Sequence, residues 1–139
     1  MDVRAVELGI LFGRHCSELL ESGRLRVTGL AEPGGIPQLA LETEGLSLLA
    51  AAHHGELSVL VSPLLTKEAQ PIELACALAA FMGEVPSPRD ASGQLKGLVE
   101  YLALLERSAR APASWVELVH EARDACQFFP PAGRAYSAP

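Results

Sequence analysis

The sequence predicts an α+β fold: an N-terminal helix, a small antiparallel β-meander, a buried central helix and a C-terminal αα-hairpin. Three observations carry that prediction. Leu57, Val59 and Val61 alternate with Ser58, Leu60 and Ser62, the period-two pattern of a strand with one buried face. Leu95, Leu98, Leu102, Leu105 and Ala109 recur at helical spacing, a seam of two heptads. Between these segments, residues 72–82 are apolar nearly all round, as in a helix covered on both faces.

Residues 3–22 read as the first helix. Val6, Ile10 and Gly13 lie on one side, and Leu8, Phe12, Cys16 and Leu19 on the adjacent one. Gly9 and Gly13, four apart, would let another backbone approach closely, and Gly23 is the expected stop. A short first strand around Leu25 and Val27 ends at Glu32-Pro33-Gly34-Gly35. A second covers residues 38–42, with Leu39 and Leu41 pointing one way. The turn Thr43-Glu44-Gly45 leads into residues 46–52, whose alanine run at 50–52 leaves helix as a competing reading. His53-His54-Gly55-Glu56 turns the chain again into residues 57–62. Short glycine-bearing links of this kind fit a three-strand meander, and Pro63 is expected to end the sheet.

Pro71 sits near a first helical position, which suits its missing N–H, and the apolar helix 72–82 stops at Gly83. Such a helix is either central or an interface. Residues 84–93 hold Pro86, Pro88, Ser87, Asp90 and Gly93 and read as an exposed loop. The heptad helix follows and is broken by Pro112. Ser114-Trp115-Val116-Glu117 supplies a capping box for a last helix reaching about residue 128. Trp115, Leu118, Val119, Ala122 and Cys126 share one side of it. A link this short predicts an antiparallel pair packed within the chain, with an intermolecular coiled coil as the competing use of the seam. The expected organisation is a single domain over residues 1–129 and a disordered tail over 130–139.

Composition constrains function. Of 139 residues, 49% are apolar and only 20% charged, below the roughly 25% usual for soluble domains. That predicts more apolar surface than one small domain hides, and hence a homodimer or a hydrophobic protein partner. A net charge of −6 argues against nucleic acid and anionic membrane surfaces, which need Lys and Arg. It favours a basic or amphipathic protein segment as partner. Nine Arg against two Lys, with no Asn, reads as base composition and is given no functional weight. Cys16, Cys76 and Cys126 are far apart, without a C-x-x-C pair, and are expected as small buried hydrophobes in a reducing compartment. No charged-then-apolar leader opens the chain, and no apolar run reaches the roughly 20 residues of a membrane span. The expected location is cytoplasmic, without membrane insertion.

Reactive constellations are few. His53, His54 and Glu56 are the densest set of metal ligands, yet neighbours on a strand point to opposite faces, so a polar turn is the expectation. His15 beside Cys16 cannot face it on a helix. His120-Glu121 does not continue into H-E-x-x-H, because Asp124 takes the second histidine's place. Glu42, Glu44 and Glu56 read as a solvated rim at strand ends. No phosphate-binding glycine motif and no G-x-S-x-G elbow occurs. No catalytic residue, metal or cofactor is predicted.

Leu39-Ala40-Leu41-Glu42, Leu46-Ser47-Leu48-Leu49, the run Glu56 to Leu64, and Pro71 to Met82 together resemble the small acidic class I chaperones of bacterial type III secretion. Those have an N-terminal helix, a strand meander and an apolar helix used for dimerisation. The resemblance implies a dimer that holds an extended segment of a secreted protein on apolar patches, without nucleotide. The expected function is therefore a non-enzymatic, cytoplasmic protein-binding module of chaperone or adaptor type. Ile72, Ala75, Leu78, Ala79 and Met82, with Leu60, are its expected partner-binding residues. The rival readings are a small metal-dependent enzyme using His53, His54 and Glu56, and a structural subunit docking through the helical hairpin.

Overall fold

The computed structural model describes residues 3–53, 56–66, 68–83 and 90–128. Helices α1 (Val3–His15) and α2 (Ser17–Glu21) lead into strands β1 (Arg26–Ala31), β2 (Gln38–Glu42), β3 (Leu46–His53), β4 (Glu56–Pro63) and β5 (Ile72–Glu73). Helices α3 (Leu74–Met82), α4 (Ala91–Ala109) and α5 (Pro112–Phe128) complete the α+β architecture. The strands form one antiparallel sheet in the order β1-β2-β3-β4-β5.

Alternation along the strands decides which face is covered. Leu39 and Leu41, Leu46, Leu48 and Ala50, and Leu57, Val59 and Val61 all point inward and are buried. The register stacks them in rows, Leu41 beside Leu48 beside Val61, and Ala50 beside Val59. Removing each such leucine or valine from water stabilises the fold by roughly 1.5–3 kcal/mol. Helices α1, α3 and α4 lie against the sheet, and α5 packs chiefly on α3, with α4 beside it. Trp115, Leu118, Val119 and Ala122 are the buried side of α5. The α4 seam is intramolecular: Leu95, Leu98, Leu102 and Leu105 all lie in the chain's own core.

Several local expectations change. The first helix is interrupted at Cys16 (φ −121°, ψ 24°), which lets Leu8, Phe12, Cys16, Leu19 and Leu25 bury together. Ile10 on the neighbouring side stays exposed, and among the described residues nothing lies within 4 Å of a Cβ placed on Gly9 or Gly13, so no described backbone approaches there. Pro63 does not end the sheet. After Pro71 the chain stays extended, Ile72 pairs with Val61 and Glu73 with Leu60, and the helix starts only at Leu74. Ile72 thus gains a buried place as a strand residue.

Helix α4 begins earlier than the loop signals suggest. The Asp90 carboxylate accepts a hydrogen bond from the Gly93 N–H at 3.0 Å, an N-cap that turns Ala91, Ser92 and Gly93 into its first turn. Residues 84–89 of the expected loop lie outside the described residues. The Ser114 capping box is unused, because Pro112 itself opens α5 and the Trp115 N–H donates to the Ala111 carbonyl at 3.1 Å. The Thr43 turn forms as expected. Its buried hydroxyl accepts from the Leu46 N–H at 3.1 Å, and its own N–H donates to the Leu46 carbonyl. The expected tail, residues 130–139, lies outside the described residues.

Two of the three cysteines are not free. Cys76 on α3 and Cys126 on α5 form a disulfide across a separation of 50 residues, with Cα atoms 5.4 Å apart. The packing of two helices brings them together, which no sequence spacing announces. Cys16 remains a free buried thiol.

Candidate protein-binding groove

The expected partner-binding residues separate into two groups. Ile72, Ala75, Leu78 and Ala79 are 4% exposed or less, so α3 is the centre of the fold and the chain covers it unaided. Leu60 and Met82 reach solvent. Leu60 stands directly across from Leu49 on the sheet face turned away from the helices, with Ala40 next in the row. These two leucines make a small apolar spot on that face.

A groove exists instead along the turn between α4 and α5. Its apolar end is a cavity of about 280 Å³ whose walls include Pro63, Ala69, Pro112, Trp115, Val116 and Val119. The indole of Trp115 is buried, and its Nε1–H donates to the Gln70 carbonyl at 2.8 Å. That bond ties the segment after β4 to α5 at the cavity's wall. The segment is itself braced, since the Leu64 N–H donates to the Gly45 carbonyl and the Ala69 N–H to the Thr66 carbonyl, both at 3.0 Å. His120 and Arg123 form part of the rim from α5, with Glu68 on the facing segment.

Two further depressions continue it. The middle one, about 250 Å³, shares Thr66 and Ala109 with the apolar cavity and is flanked by Leu65. Leu65 is 92% exposed and Val116 54%, so the groove carries apolar surface that folding has left in water. The third, about 550 Å³, shares Glu44, Glu106 and Arg110 with the middle one. Arg24, Arg26 and Arg107 complete its charged wall.

No group of three His, Cys, Asp or Glu side chains that could hold a metal occurs among the described residues. His54 and the side chain of His53 lie outside the described residues, and with them the set His53, His54 and Glu56. Every buried side-chain nitrogen and oxygen among the described residues has a hydrogen-bond partner. The Gln94 amide, for example, donates to the Leu57 carbonyl at 3.1 Å. Burial pushes the Cys16 thiol from its ordinary 9.0 up to about 11, which keeps it protonated and unreactive at neutral pH.

Sequence reasoning placed Trp115, Val119 and Glu44 on the right elements without seeing that they line one groove. Composition alone gives the arginines no functional weight, although four of the nine converge on one cleft. The available signals were the pairs Arg24/Arg26 and Arg107/Arg110, at strand and helix spacing. No family model, curated protein or solved structure matches the chain. No helix among the described residues is long and apolar enough to cross a membrane.

Proposed function

We propose that this protein is a non-enzymatic binding module, of chaperone or adaptor type, which receives an extended segment of a partner protein in the α4–α5 groove. The observation that carries the reading is the groove's apolar end, where a braced cavity and the exposed side chain of Val116 adjoin. A cavity of this kind, apolar with a few polar groups at its rim, suits one bulky apolar side chain of a ligand. Val116 and Leu65 supply area that a bound segment would remove from water. The test is a titration of fluorescent extended peptides bearing Leu or Phe against the native protein and Val116→Arg. Binding by the native protein and its loss in the variant support the reading. Equal binding by both, or none by either, sinks it.

A second reading, self-association, is favoured by β1. Among the described residues nothing pairs with its outer edge, all six of its residues are exposed, and Val27 and Leu30 are 54% and 52% accessible. Two copies pairing along that edge would extend the sheet across a two-fold axis. The register shift between Val27 and Gly29 works against it, since a bulge discourages edge pairing. Sedimentation equilibrium decides: a monomer at high concentration removes the dimer.

A further inference from the structure

We infer that the partner segment is acidic on one side of its apolar anchor, and that it lies with its carboxylates between Arg24 and Arg26, at the start of β1, and Arg107 and Arg110, at the end of α4. This rests on the proposed peptide groove and adds the chemistry and direction of its ligand. The chain as a whole is acidic, at −6, so its overall charge would select a basic partner. The far end of the groove has the opposite sign. Four guanidinium groups, of Arg24, Arg26, Arg107 and Arg110, line it beside only two carboxylates, Glu44 and Glu106.

Those charges are not spent on one another. Among the described residues the one ion pair that reaches the cleft is a long one, Arg26 to Glu42 at 3.7 Å, with both side chains partly in water. Among the described residues, no carboxylate lies within 4.0 Å of the guanidinium of Arg24, Arg107 or Arg110. A guanidinium fork is shaped for bidentate contact with a carboxylate, and this cleft offers several that are open to a ligand. Among the described residues no aromatic side chain lines it, and these residues offer no platform on which a nucleotide base would stack. The middle depression shares walls with both the arginine cleft and the Trp115 cavity, so the charged and apolar ends adjoin through it. An extended segment of one chain fits that sequence of subsites, whereas a lone small anion would use only its end.

The test uses the full-length protein and three labelled peptides of equal length. One carries an Asp/Glu run followed by a Leu/Phe block, one has the run replaced by Ser, and one has it replaced by Lys. The acidic peptide is expected to bind roughly tenfold tighter than the Ser peptide at low salt, the scale of a few exposed ion pairs. Salt should erase that advantage. Arg107→Gln with Arg110→Gln should bring the acidic peptide down to the Ser peptide and leave the Ser peptide unchanged. Equal binding of all three peptides by the native protein overturns the inference while leaving the peptide groove standing. Failure of all three to bind overturns both. Competition by inorganic phosphate alone, against the acidic and Ser peptides alike, overturns it in favour of a small oxyanion site.

Discussion

Helix α3 and the groove at the α4–α5 turn use apolar side chains in opposite ways. Helix α3 is the most continuously apolar element in the chain, and Leu74, Ala75, Ala77, Leu78 and Ala79 all disappear into the core. The groove is built from a mixed sequence, yet Leu65 and Val116 remain in water beside it. High hydropathy marks what a chain must cover. Apolar exposure that survives folding marks what is left for something else to cover.

The comparison can be broken hardest at Leu78. It is fully buried in α3, so Leu78→Ala should cost about 3 kcal/mol of unfolding free energy, from lost transfer energy and the cavity left behind. Denaturant unfolding measures this directly. A loss under 1 kcal/mol would mean that α3 is loosely held and open to outside contacts after all. Peptide binding at the groove should survive under conditions where the variant stays folded.

The disulfide ties the two regions, since Cys76 belongs to α3 and Cys126 to α5. Cross-linking residues 50 apart removes conformations from the unfolded chain, and replacing both cysteines by Ala should lower stability by about 2–4 kcal/mol. Thiol titration of unreduced protein in denaturant should find one thiol, Cys16. Three thiols would mean that the pair stays reduced where the protein is made, as a reducing compartment keeps it.

A third site tests how tightly α3 is enclosed. A Cβ on Gly97 of α4 would stand 2.6 Å from Cδ1 and 2.9 Å from Cδ2 of Leu78. Overpacking of this kind costs about 1–3 kcal/mol, offset by up to about 1 kcal/mol of helix propensity. Gly97→Ala should therefore be destabilising on balance in chemical denaturation, and clearly milder in the background of Leu78→Ala, where the clash has gone.

Burial of Cys16 gives a smaller, pH-dependent effect. Its thiol is raised from 9.0 to about 11, so the folded state holds a proton that the unfolded chain has already released between those values. The stability contributed by burying the neutral thiol is full below pH 9, falls as pH rises toward 11, and is flat beyond. Cys16→Ala should flatten that part of the curve. An unchanged slope would place the alkaline loss elsewhere.

Much of this fold was legible because it is written locally. The strands of 38–63 alternate, the α4 leucines recur at helical spacing, and the Thr43 turn carries its own hydroxyl acceptor. What was not legible depends on pairs remote in sequence. Ile72 reads as helix because its neighbours do, and becomes a strand residue only because Val61 stands beside it. The groove is harder still. Its walls come from β1, from the turn before β3, from the segment after β4 and from both sides of the α4–α5 turn. No stretch of sequence contains it. In sequence α3 reads as an interface for the same reason, since its composition is visible there and the helices that cover it are not.

The least expected disturbance of stability is at Val116, and there the comparison is sharpest. Its side chain is 54% exposed and lies on the groove, so Val116→Arg should shift unfolding by no more than about 0.5 kcal/mol. At the same time it places a long cation at the mouth of the apolar cavity, where a ligand's side chain would have to displace it. A variant as stable as the parent but unable to bind separates the two uses of apolar surface in a single substitution. Were Val116→Arg to destabilise the fold by several kcal/mol, Val116 would belong with Leu78 as a core residue, and the groove would be a packing defect with no role in binding.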